Sequence, residues 1–118
     1  MTVESVVQEF INDQRLTEIT HVVSEVAFVP KGFEKAVRLR VYRDTTTDEL
    51  PYFYQTSHYP HTPLQTAPYI SSNPWESSAA AAATKAIEEL LSHLEKAKSK
   101  GHEPHDDWLV ENVFWESR

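Results

Sequence analysis

The 118-residue chain has no cysteine, only two glycines, one methionine and no long apolar run. Without cysteine there are no disulfides, no thiolate metal sites and no cysteine nucleophile, a composition that fits a reducing compartment and makes the cytoplasm the expected location. With Gly32 and Gly101 as the only glycines, neither a Walker loop nor a dinucleotide-binding fingerprint can be written, because both need several glycines at fixed spacing. No apolar stretch approaches the roughly 18 residues of a membrane span, and the N-terminus lacks a basic region followed by an apolar block. Neither membrane insertion nor secretion is expected.

What the chain does contain is apolar content sufficient for one core: 40% hydrophobic residues with three tryptophans. Residues 1–118 are therefore read as a single globular, soluble domain. Acids outnumber bases, 18 to 11, leaving a formal charge of -7 that repels phosphate backbones at long range. Five of the eleven bases, Lys31, Lys35, Arg38, Arg40 and Arg43, nevertheless fall in one short stretch, which predicts one strand with a basic face.

Val3, Val6, Val7, Phe10 and Ile11 recur at helical spacing and predict a first helix over 2–14, capped by Thr2. Residues 17–57 read as an antiparallel meander. In its first strand Val22, Val26 and Phe28 lie on one side and Val23, Ala27 and Val29 on the other, a pattern expected of two partly covered faces. Pro30, Lys31 and Gly32 supply a hairpin turn. Val37, Leu39 and Val41 then alternate cleanly with Arg38, Arg40 and Tyr42, and Tyr52 to Ser57 form a third strand after a polar turn. Residues 58–73 carry three prolines and no period, so they are expected to be a long loop.

Asn73 as cap, Pro74 at the first helical position, Glu76 as capping-box acid and Gly101 beyond the end predict a helix over 74–100. Its apolar stripe runs from Trp75 through Ala79, Ala82, Ala83 and Ala86 to Leu90 and Leu94, while Lys85, Glu88 and Glu89 are assigned to solvent. Residues 108–115 favour a terminal strand or extended segment, with a short helix capped by Asp106 or Asp107 as the alternative. The predicted fold is thus α+β: a three- or four-stranded antiparallel meander with one face covered by a long helix in the C-terminal half and a short N-terminal helix. The order of helix, three antiparallel strands and alanine-rich helix resembles the double-stranded RNA-binding domain over residues 2–95. Where that family carries lysines at the start of its last helix, this chain has Trp75, Glu76, Ser77 and Ser78, so no RNA contact carries over.

No catalytic residue is specified: the serines stand in no nucleophile elbow, and no base is placed beside one. The sequence reads as a small acidic, non-catalytic interaction module, such as a regulator, inhibitor or adaptor, acting on a protein partner. Its expected contacts are Tyr59, Leu64, Tyr69 and Ile70 in the loop, and Arg38, Arg40 and Tyr42 (with Tyr52 and Tyr54 alongside) on the exposed sheet face. Two alternatives stand beside it. His58 with His61, and His102 with His105 and Asp106, carry imidazole and carboxylate groups suited to zinc or another divalent metal, although the pairs lie beside prolines in loops. The basic strand over 35–43 suits a nucleic acid. Absent the metal reading, no cofactor is expected, and self-association through a sheet edge or through Trp108 and Trp115 is open.

Overall fold

The computed structural model describes residues 3–10, 12–16, 18–44 and 49–115. In chain order the elements are helix α1 (Val3–Phe10), strands β1 (Thr20–Phe28), β2 (Val37–Asp44), β3 (Tyr52–Thr56), β4 (His58–Pro60) and β5 (Trp75–Glu76), helix α2 (Ala79–Ser99), a single 3-10 turn (Asp106–Trp108) and strand β6 (Leu109–Glu111). An antiparallel sheet in the order β1-β2-β3-β5 packs against the long α2 and the short α1, as the α+β reading expects. Strands β4 and β6 make a separate two-stranded sheet. Among the described residues no helix is long and apolar enough to cross a membrane.

The alternation in β2 sorts its side chains between two faces. Val37, Leu39 and Val41 are all at most 1% exposed, on the side where α2 crosses β2 and β3. From α2 the buried residues are Ala82, Ala86, Leu90, Leu94 and Ala97, one stripe at three- and four-residue spacing. Alanines in the first turns let the helix approach closely, and the leucines fill the wider gap beyond. Leu90, Leu94 and Ala97 join Phe33, Val37, Trp108 and Leu109 in one buried cluster, where each large side chain contributes about 2 kcal/mol of burial. The helix closes as Gly101 predicts: at φ +90° it lets its own N–H donate to the Lys98 carbonyl while the His102 N–H donates to that of Ala97.

The start of α2 departs from the sequence reading. Trp75 and Glu76 are not helical; they form β5 and pair with Phe53 and Tyr52. The helix begins at Ala79, and Ser78 Oγ, not Asn73, accepts from the Ala81 N–H at 3.0 Å. Both caps are chemically competent. What separates them is the indole of Trp75, whose ring centre lies 4.6 Å from that of Phe53 and is held only if the chain stays extended there.

The 58–73 run is not a structureless loop either. Its first three residues are β4, held by β6 from the far end of the chain, and the Pro60 carbonyl accepts from both the Tyr69 N–H and the Gln65 side-chain amide. The terminal segment combines both alternatives in miniature, a 3-10 turn capped by the His105 imidazole and then a three-residue strand. The first helix stops at Phe10, short of residue 14. Gly32 takes φ +96° in the expected turn, but β2 starts only at Val37, because Phe33 leaves the strand direction to meet Trp108 edge-on at 5.7 Å. The proposed cap Thr2, the helical Ile11, the strand start at 17 and the polar turn at 45–48 lie outside the described residues.

Candidate functional site

The basic sheet face is already occupied by the protein itself. In the β1–β2 register Glu25 stands opposite Arg40 and Ala27 opposite Arg38. The Glu25 carboxylate pairs with Arg38 and, at 3.3 Å, with the Nε of Arg40. The hydrogen bond from Arg38 is the main reason that the Glu25 carboxyl is held below the usual carboxylate range. Trp115 then lies over both guanidinium groups, 4.1 Å from Arg40 and 5.5 Å from Arg38. Tyr42 is buried and stacks on Phe53 at 4.8 Å, so it presents no exposed ring to a partner. Nor do Tyr52 and Tyr54 belong to this face. Tyr42 pairs with Phe53, so Tyr54 falls opposite Val41 on the α2 side. A phosphate at this face would have to break two ion pairs. Period-2 alternation cannot foresee that, since Trp115 arrives from the other end of the chain.

Among the loop residues, Leu64 and Ile70 are exposed and Tyr59 is partly buried. Tyr69 is engaged at home, its ring stacked on His93 at 4.6 Å. Tyr59 and Tyr69, with Tyr54, Ile70, Leu90 and Glu89, line a half-open cavity of about 170 Å³ between the loop, β3 and α2. The hydroxyls of Tyr54 and Tyr69 both donate to Glu89 Oε2 at 3.0 Å. Burial, reinforced by the neighbouring carboxylate, pushes both phenols above the usual tyrosine range. Glu89 is therefore not the solvent-facing residue expected from helical periodicity. Its neighbour Glu88 is exposed.

The histidines do not converge. His58 Nδ1 lies 2.8 Å from Ser57 Oγ, and burial followed by the nearby Lys35 charge lowers the imidazole below its ordinary range. His61 donates its backbone N–H to the Trp108 carbonyl, His105 accepts from the Asp107 N–H as a cap, and His102 is exposed. Asp106 accepts from the Glu34 N–H. Among the described residues no group of three or more His, Asp or Glu is placed to hold a metal ion.

The longer edge strand of the main sheet is β1, nine residues long with one charged side chain, Glu25, the other edge being the two-residue β5. Val26, on the α2 side opposite Leu39, is 47% exposed because α2 lies over β2 and β3 and stops short of the edge. Val22, which the bulge turns to the other face opposite Tyr42 and away from the side the sequence pattern shares with Val26, is 45% exposed, and the adjoining Val29 is 54% exposed. The direction of the edge backbone follows from β2. The Arg38 carbonyl accepts from the Ser57 N–H and the Arg38 N–H donates to Ser57 Oγ, both at 2.8 Å, so these groups look away from β1. By alternation those of Leu39 look toward β1 and serve Val26. The N–H and C=O of Glu25 and Ala27 consequently face outward, where no described strand pairs with them. A bulge between Val22 and Ser24 limits the straight part of this edge to its second half.

No protein family, curated protein or solved structure matches this chain.

Proposed function

We propose that the protein is a non-catalytic interaction module that takes an extended segment of another protein as an added strand along β1. The observation that carries this reading is the long, valine-bearing free edge, with the main-chain groups of Glu25 and Ala27 turned outward. Natural sheets blunt such edges with lysine, proline or very short strands, and β1 uses only its bulge. In strand addition the main-chain hydrogen bonds supply affinity, while alternate side chains supply specificity. An apolar residue of the incoming segment would sit beside Val26 on the α2 side of the sheet, past the margin of the helix. The net charge of -7 repels a second copy of the chain and attracts a segment of net positive charge. The loop residues Leu64 and Ile70 are exposed apolar side chains as well.

Selection of extended nine-residue peptides against the intact chain, followed by hydrogen exchange, tests this. In the free protein the Glu25 and Ala27 amides should exchange fast and those of Val26 and Phe28 slowly; basic peptides with alternating apolar residues should then protect Glu25 and Ala27. Ala27→Pro, which removes only an outward donor, should abolish binding. Protection confined to residues 58–72, or a β1-to-β1 dimer in sedimentation, would refute the assignment.

A further inference from the structure

The cavity between β3, the loop and α2 carries a property that strand addition does not use. At its wall stands the Glu89 carboxylate. Among the described residues no basic side chain pairs with Glu89, and the one cation a helical turn before it, Lys85, is turned away to the Asn73 carbonyl at 2.7 Å and to Glu76 at 3.6 Å. His93, stacked on Tyr69, directs its Nδ1 to the Glu89 backbone carbonyl at 2.8 Å and not to the carboxylate.

Both tyrosine hydroxyls converge on the same oxygen, Oε2. A carboxylate offers about four acceptor positions over its two oxygens. The two phenols therefore polarise and orient the group while leaving Oε1 without a described partner. Around it the walls are largely aromatic and aliphatic, the rings of Tyr54, Tyr59 and Tyr69 with Ile70, Pro74 and Leu90, and Gln55, Thr56 and Ser71 add polar groups. Tyr59 contributes its ring without any side-chain hydrogen bond among the described residues, so its face is not committed to another group.

From this arrangement we infer that the cavity is a binding site for a small organic ammonium ion, its charged head on Glu89 Oε1 and its apolar body against the tyrosine rings, Ile70 and Leu90. Opposite charge in a partly desolvated setting and ring faces that attract cations both select a positive head group. The volume, about 170 Å³, resembles the roughly 150 Å³ apolar cavities that accept benzene, which limits the body to about one six-membered ring. An anion is repelled by the carboxylate, and a neutral alcohol of the same shape gains the walls but not the charge.

The test uses benzylammonium and its uncharged counterpart benzyl alcohol as probes on the full chain, followed by calorimetry and by NMR of the tyrosine rings and the Ile70 methyl groups. Benzylammonium should bind about tenfold more tightly than benzyl alcohol, equivalent to one charge-assisted hydrogen bond, with shifts at Tyr54, Tyr69 and Ile70. In Glu89→Gln the two probes should bind alike. Equal binding of both probes to the unmodified chain, or shifts elsewhere on the surface, would overturn the assignment, and that comparison does not depend on how well the variant folds. The β1 edge is separated from this cavity by β2, so strand addition and amine binding can fail independently.

Discussion

Proline scanning of β1 separates the inward from the outward backbone groups of the edge. Val26 pairs with Leu39 in a register position whose main-chain groups face each other, whereas Ala27 sits opposite Arg38, whose groups are spent on Ser57. Val26→Pro therefore removes a ladder hydrogen bond worth about 1 kcal/mol and leaves an acceptor of Leu39, a residue 1% exposed, without its partner, at a further cost of about 1 kcal/mol. Loss of the half-covered valine side chain adds about 0.5 to 1 kcal/mol. The sum is about 3 kcal/mol. Ala27→Pro touches none of these and should change stability by less than about 1 kcal/mol, since an edge position with its N–H in solvent tolerates proline. Urea unfolding followed by tryptophan fluorescence reads the difference. With a slope of about 1.5 kcal/mol per molar, the midpoint should fall by about 2 M for Val26→Pro and by less than about 0.7 M for Ala27→Pro. Equal losses, or a larger loss at Ala27, would mean that the alternation deduced from Arg38 is wrong, and with it the outward-facing edge.

The start of α2 is tested by two alanine substitutions: Ser78→Ala should cost about 1 kcal/mol and Asn73→Ala about zero, because only Ser78 accepts from a first-turn amide. The reverse ranking by thermal or urea melts would restore the cap read from the sequence. Leu94→Ala, at a position 0% exposed, should cost about 3 kcal/mol through lost burial and a residual void; a cost below about 1 kcal/mol would show that the helix is not seated on the sheet. His58 titrates below its ordinary range in the folded chain, so the folded state holds fewer protons than the unfolded one. Its contribution is present above about pH 6.5 and is lost as pH falls through the depressed folded value. The urea midpoint should accordingly drop between about pH 8 and about pH 5.5, and the drop should be smaller in His58→Gln; an unchanged slope in that variant would remove His58 as its cause.

Local chemistry alone determined a good part of this molecule. The alternation from Val37 to Arg43 is a strand whatever surrounds it, because only an extended chain puts three aliphatics on one side. The stripe ending at Leu94 is likewise a helix, and Gly101 closes it because a residue without Cβ adopts φ +90° freely. Tertiary structure decided the rest, wherever local signals were evenly matched or a partner came from far along the chain. Asn73 and Ser78 are both good caps, and the contact of Trp75 with Phe53 chose between them. His58–Pro60 became a strand because Leu109–Glu111 lies beside it, and the arginine face is occupied because Glu25 and Trp115 meet over it. Glu89 differs from Glu88 only in standing at the margin of the helix stripe, where Tyr54 and Tyr69 reach it. Periodicity records which side of an element a residue occupies; it carries no information about which distant group will arrive on that side, and that is set by the packing of the whole chain.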